Sequence, residues 1–360
     1  MQRTRPLPTA AIAQARNQEH LITTQQLASL GMPRSTITAK ARRGQLTRVA
    51  TGVYDVIAVP PECRTVPWAR QAQWSNPQDV FTHLHRRSAI LALLSHPAAT
   101  ATGLSALALH NVRGLPRRFT PSIGYTSRGP ERHQTSQSFR RYRRIQHAHT
   151  ADGWRVSPLP DALAQGLLDL VPQPYGDREA MAMLDDVIHR SLLTPSHVRR
   201  FRECLQYRRG AGTVRGWAAR SRSEAESPAE SWARQGCYRN GCPPDRLQLT
   251  VLNQAGGHIA RVDMAWLLPS GGLLLVEIDG THWHSLPRAL VQDAARQNQL
   301  VTLGTLLRFT GRDAWHETAA NQVSGILSRS GWVPGVAVLP PVIMVNPDAR
   351  GGWIPVPAQR

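Results

Sequence analysis

The residues best placed to do chemistry lie in one stretch, RVDMAWLLPSGGLLLVEIDGTHWH, residues 261–284. Arg261 to Trp266 alternates like a strand and carries Asp263; Gly271 and Gly272 make a turn. LLLVEIDG is then a second strand whose apolar lead-in marks it as central. Glu277 and Asp279 are two apart on it, so their carboxylates face one side. If the strands are neighbours, Asp263 joins them. Three gathered acids repel each other and lose hydration, which is costly unless something positive sits among them. A divalent metal is the usual answer, and oxygen ligands favour Mg²⁺ or Mn²⁺ over zinc, with Asp263 and Glu277 as ligands.

His282 and His284 flank Trp283, and His284 is a candidate base for a water attacking phosphorus. Upstream, SPAESWARQG reads as a helix start with Ser227 as N-cap and Pro228 in the first turn. Glu230 closes a capping box or points at the site, and Glu226 lies just outside the helix. Downstream, Asp293, Arg296 and Asn298 sit on a helix, and Arg308 ends the apolar run LVTLGTLLRF, a last strand. Acids two apart on a strand are often only solvent-facing, and a lone histidine is usually structural. The apolar lead-in and the clustering weigh against that reading.

Positioning these groups takes helix, strand, strand, helix, strand over residues 221–330, an α/β arrangement. The full 360 residues suit two or three domains. We read a helical unit closed by a hairpin over 10–58, a mixed α/β middle domain over 60–206 and a linker over 207–222. The site block spans 223–330, and a Pro/Gly-rich extended tail spans 331–360. Helical patterns fall near 95–110, 160–171, 178–190 and 195–206, with the Arg-rich SFRRYRRIQHAH (138–149) as a strand or an exposed arm.

Charge is unevenly placed. Of a formal +19, residues 1–220 hold about +18 and residues 221–330 about zero. Lys40 is the only lysine, so nearly all of this is guanidinium. Such an excess attracts polyanions, with nucleic acid as the default partner. No apolar run approaches the roughly 18 residues of a membrane span, and the N-terminus lacks a signal-peptide core. Four cysteines form no disulfide framework, so a reduced, cytoplasmic protein is expected.

In the N-terminal unit, Thr23 or Thr24 caps a helix bearing Leu27 and Leu30; Gly31 ends it, and GMP turns into a second helix from Arg34 to Arg43. Ile37 and Ala41 form its apolar stripe, leaving Arg34, Ser35, Thr38, Lys40, Arg42 and Arg43 on the remaining surface. QLTRVATGVYDV follows as a hairpin. This is the layout of a winged helix-turn-helix, in which those short polar and basic side chains meet base edges and phosphates. A protein-contact module is the competing use of the same layout.

LITTQQLASLGMPRSTITAKARRGQLTRVATGVYDV resembles the N-terminal domain of the AbiEi family, the antitoxins of type IV toxin–antitoxin systems. SHPAATATGLSALALHNV and SPLPDALAQGLLDLV look, more weakly, like that family's second domain. The likeness implies a DNA-binding regulator of its own operon with a cognate toxin as a possible partner. Glu-Ser…Glu, RVDMAW, VEIDGTHWHS, Asp293…Arg296…Asn298…Leu300 and LLRFT, in that order, look like the Vsr-like branch of the PD-(D/E)XK nucleases. That resemblance implies a restriction-endonuclease-like α/β/α domain, with Asp263 binding metal, Glu277 and Asp279 in the E-x-K place, and His284 as base. Asp279 stands where the pattern has lysine, so charge stabilisation must come from Arg296 or the metal.

The combined expectation is a metal-dependent DNA endonuclease carried on a DNA-binding regulator. The alternative is a non-catalytic, antitoxin-like repressor with a degenerate nuclease fold. Either version predicts salt-sensitive duplex binding. With six or more phosphates neutralised, affinity falls roughly a thousandfold between about 50 and about 200 mM salt. Fluorescence anisotropy against salt measures this, and a flat profile would dismiss the basic region as the DNA-holding element.

Overall fold

The computed structural model describes residues 6–57, 80–126, 138–142, 145–279 and 287–357. They fall into two compact units, residues 1–172 with 193–214, and residues 173–192 with 215–360. The chain is α/β, with three separate sheets among the described residues.

The first unit opens with α1 (Thr9–Arg16), β1 (Leu21–Thr23), α2 (Thr24–Ser29), α3 (Arg34–Arg42), β2 (Thr47–Ala50) and β3 (Val53–Asp55). Thr23 is the residue that caps α2, in a reciprocal box with Gln26. Gly31, at φ 81°, ends α2 in a conformation that costs glycine little. Met32 and Ile37 then bury with Ala11, Ala15, Ile22, Leu27 and Leu46 in one small core. The three strands pair antiparallel in the order β1-β3-β2.

The same unit continues through α4 (Val80–Ser95), β4 (Thr100–Ala101), α5 (Gly103–Leu109), β5 (Ser122–Tyr125), β6 (Ser138–Arg141), β7 (Ala148–His149), β8 (Arg155–Val156) and α6 (Leu159–Leu170). Its five strands run in the order β6-β5-β4-β8-β7, so the Arg-rich segment contributes an edge strand at each side. The two N-terminal blocks separated in the sequence reading form one body here, and α4 is the reason. Its buried Arg86 donates from Nε to Glu19 Oε1 (2.9 Å), and Arg87 donates from Nη2 to Asp55 Oδ2 (2.6 Å) and from Nη1 to the Glu19 carbonyl (2.8 Å). His83 Nδ1 shares a 2.6 Å hydrogen bond with the other Glu19 oxygen.

Next in chain order, α7 (Gly176–His189) belongs to the second unit, while α8 (Pro195–Cys204) belongs to the first. The boundary between units then falls inside α9 (Ala211–Arg220), so the expected linker over 207–222 is largely helical. The second unit goes on with α10 (Pro228–Arg239), β9 (Arg246–Leu252), β10 (His258–Leu267), β11 (Leu273–Asp279), α11 (Pro287–Val301), β12 (Gly304–Thr310), α12 (Gly311–Trp315), α13 (Thr318–Ser330), β13 (Val342–Val345) and β14 (Trp353–Pro355). The strands form one six-stranded sheet in the order β12-β11-β10-β9-β13-β14. The tail over 331–360 is therefore more than extended surface chain, because two of its segments are strands, and β13 pairs parallel to β9.

Helices cover both faces of this sheet. Leu300 of α11 and Leu303 just after it bury against Leu273, Leu275, Leu249 and Val262 on one face. On the other, Ala233 and Cys237 of α10 and Val323 and Leu327 of α13 bury against Leu274, Val276, Trp266 and Met264. Gly236 lets α10 and α13 approach, since a Cβ there would lie 2.9 Å from that of Ala320. β11 is central, with every residue from Leu273 to Ile278 buried, as its apolar lead-in predicts.

The position of α10 depends on ion pairs. Arg234 and Asp185 are both 1% exposed and meet at 2.5 Å. The same Asp185 oxygen also accepts from Ser231 Oγ at 2.7 Å, while its partner oxygen accepts from the Arg222 amide. Burial pushes the Asp185 carboxyl up, and Arg234 and these donors pull it back only in part. Replacing such a pair by apolar residues can be neutral, whereas removing one partner strands a buried charge. Asp185→Ala is accordingly expected to cost about 3–5 kcal/mol, read as a lower urea midpoint.

Candidate active site and nucleic-acid face

The carboxylates of the C-terminal unit meet where strands β10 and β11 part. Their antiparallel pairing runs from Leu267↔Leu273 to Met264↔Val276 and stops there. Past that point the Ile278 amide donates instead to Asp263 Oδ2, at 2.7 Å. The Asp263 side chain thus takes over a backbone donor that the ladder no longer satisfies.

A second irregularity puts it there. Leu249, Val251, Ala260 and Val262 belong to the core on the α11 face, whereas Leu247, Met264 and Trp266 belong to the opposite core. Side chains two apart on a regular strand share a face. The pairing register is nevertheless unchanged, with Val262 opposite Leu249 and Met264 opposite Leu247. Both strands therefore swap faces at a single step, the one occupied by Gln248 and Asp263. Gln248 sits there at φ 49°, a left-handed conformation that costs a non-glycine residue on the order of 1–3 kcal/mol.

That twist aims the Gln248 amide at two acids. Its Nε2 donates to Glu230 Oε2 at 2.9 Å and to Asp263 Oδ1 at 3.2 Å. Glu230 Oε2 also accepts from the Glu226 amide at 3.0 Å, while the Glu230 amide donates to Ser227 Oγ at 3.2 Å. Ser227 therefore caps α10 through the Glu230 amide, but the expected capping box is not closed, because the Glu230 side chain accepts from the Glu226 amide and not from that of Ser227. Burial pushes both carboxyls up; for Asp263 the neighbouring Glu230 charge adds to burial, and its carboxyl reaches about 7.

Glu277 and Asp279 share a face, as their spacing requires, and arginine neutralises both. Arg296 of α11 grips Glu277 with two nitrogens at 2.5 and 3.1 Å. Arg308 of β12 donates to Asp279 at 3.0 Å and lies 3.6 Å from Glu277. The positive charge expected among these acids is thus guanidinium on this side. Among the described residues no three His, Cys, Asp or Glu side chains form a ready metal cage, and the turn of Glu277 onto Arg296 accounts for its absence from the Glu230–Asp263 pair. Asn298 points outward. His282, Trp283 and His284 lie outside the described residues.

The donor set still fits a hard divalent cation. Glu230 and Asp263 offer carboxylate oxygens beside an amide, and the Asp263 carboxyl is raised first by burial and then by the Glu230 charge, a cost that a cation would relieve. Gln248 is the residue that the sequence reading missed, together with all of β9. The alternation of Leu247, Leu249 and Val251 was the available signal.

The other candidate surface is α3. Arg34, Ser35, Thr38 and Arg42 are exposed and fall on one arc of the helix, opposite buried Ile37. Arg43 is exposed at the C-cap. Lys40 departs from expectation. It is 3% exposed, with its amine 3.1 Å from Gln45 Oε1, so it lies beneath the surface and not on the presented face. Among the described residues no helix is long and apolar enough to cross a membrane.

Compared with known proteins, the chain matches no family model and no curated protein.

The raised Asp263 carboxyl has a pH signature. Its folded-state value lies above the ordinary 3.8, so the stability tied to its protonated form is complete below that value and is lost as pH rises through about 7. In chelator, Asp263→Asn should therefore be more stable than wild type at pH 8, with the difference closing towards pH 4. Adding Mg²⁺ should raise the wild-type melting temperature and leave that of Asp263→Asn unmoved.

Proposed function

We propose that the protein binds DNA through its basic first unit and hydrolyses phosphodiester bonds, with a divalent metal, at the carboxylate site of its second. The observation that carries this reading is the Glu230–Gln248–Asp263 cluster, two half-buried acids sharing one amide where β10 and β11 part. Few structural needs are served by crowding two carboxylates there without a cation. Mg²⁺ or Mn²⁺ would be held by Asp263 with Glu230 and Glu277, and would supply an activated water and a charge sink for the phosphate. Arg296 and Arg308 stand beside those acids, placed to meet a phosphate oxygen once the carboxylates turn to metal. His284 is the proposed base, on the sequence motif alone. Arg34, Ser35, Thr38, Arg42 and Arg43 are the proposed contacts to DNA, with phosphate binding supplying most of the affinity.

The resemblance to AbiEi antitoxins and Vsr-like nucleases agrees with this division of labour and adds a cognate toxin, a defence or repair setting and a cytoplasmic location to the proposal. A second reading has its own observation in support. Glu277 and Asp279 are already neutralised by arginine, which suits a non-catalytic repressor that retains a nuclease-like fold.

A plasmid-nicking assay with Mg²⁺ and with Mn²⁺ separates the two. Asp263→Ala and His284→Ala should each lower metal-dependent nicking at least about a hundredfold while leaving duplex affinity within about twofold of wild type. Salt-sensitive binding with no cleavage by wild type would overturn the enzyme and leave the repressor.

A further inference from the structure

The first unit holds a cavity of about 300 Å³ that neither proposed activity uses. It lies at the N-terminal end of α6, between that helix, α8 and the chain around Tyr142. Its volume is at the small end of ligand sites. Three features give it a chemical sign.

The first is Ser157. Its side chain lines the cavity and is 5% exposed, yet among the described residues its Oγ has no hydrogen-bond partner. A buried hydroxyl left without a partner costs free energy, so its retention needs a reason. The second is α6 itself, a twelve-residue helix whose N-cap is Pro158 and which has no side-chain cap. Pro160 in its first turn has no N–H, so the Leu159 and Asp161 amides carry the positive end of the helix dipole at this end.

The third is the charge balance. Asp161 is the only carboxylate among the lining residues, and Arg200 occupies both of its oxygens, at 2.7 and 3.1 Å. Cys204 stays a neutral thiol, pushed up to about 11 by burial and by Asp161. Burial likewise raises Tyr142, which remains a neutral phenol able to donate. Arg208 is left over. Among the described residues its guanidinium donates one hydrogen bond, to a neutral acceptor, Gln165 Oε1, at 2.9 Å. The lining therefore carries a net positive charge.

The geometry points to a binding site for a small phosphate-bearing molecule, no larger than a mononucleotide, held by Arg208, the Ser157 hydroxyl and the head of α6. A guanidinium, a hydroxyl and helix amides supply donors to several oxygens of one tetrahedral anion. This site is independent of the proposed nuclease chemistry, and Asp263→Ala should leave it intact.

Calorimetric titration of the full chain tests it, with inorganic phosphate and adenosine 5′-monophosphate as probes against chloride at equal ionic strength. Saturable binding of at least one probe is expected, weakened tenfold or more by Arg208→Gln and by Ser157→Ala. Tighter binding of the nucleotide would assign the source as a nucleotide, and equal binding would assign it as phosphate alone. Unliganded Ser157→Ala should melt no lower than wild type, because the hydroxyl it removes has no partner among the described residues to lose. Arg208 is exposed, so its variant decides the matter should Ser157→Ala fail to fold. No saturable heat above the chloride control, or unchanged affinity in Arg208→Gln, would overturn the proposal. So would competition by a short duplex, which would reassign the site to the DNA backbone.

Discussion

Guanidinium set against carboxylate at low exposure is the interaction on which both units depend. With a single lysine in the chain, arginine does this throughout. Arg86 and Arg87 tie the small core of α1 to β3 to the block that follows it, through Glu19 and Asp55. Arg234 fixes α10 through Asp185, and Arg178 reaches Glu317 and the Trp315 carbonyl at the end of α12. Arginine suits this work because its planar fork meets a carboxylate with two parallel donors and is less strongly hydrated than an ammonium. Buried pairs of this kind contribute little net stability over an apolar core, but they penalise every arrangement that separates them.

Against that background the Glu230–Asp263 pair is the departure. Two half-buried acids share a neutral amide, beside a strained Gln248 and a reversed strand face. A fold under no demand beyond stability would have paired them with arginine, as it did Glu277 and Asp279 a few residues away. The contrast within one sheet is between two acids that share an amide and two that meet guanidinium.

Much of this was legible in the residues. Apolar continuity in LLLVEIDG required a central strand, and spacing put Glu277 and Asp279 on one face, because the two-residue period of a strand is local geometry. Thr23, Gly31 and the stripe through Ile37 defined a helix, turn and helix for the same reason. What escaped were the features that arise from contacts distant in sequence. β9 alternates too briefly to stand out, and β13 and β14 count as strands only because an edge was open beside β9. Lys40 looked like its exposed neighbours, since helical phase alone does not say how deep the adjacent loop lies.

The sequence by itself therefore determined the segments, the sign of the charge on each part and the identity of the acids that could act together. Tertiary structure alone decided which of those acids met a guanidinium and which met each other. The reason is physical: propensity and periodicity act over a few residues, whereas the state of a buried carboxylate is set by burial and by charges brought from elements remote in the chain.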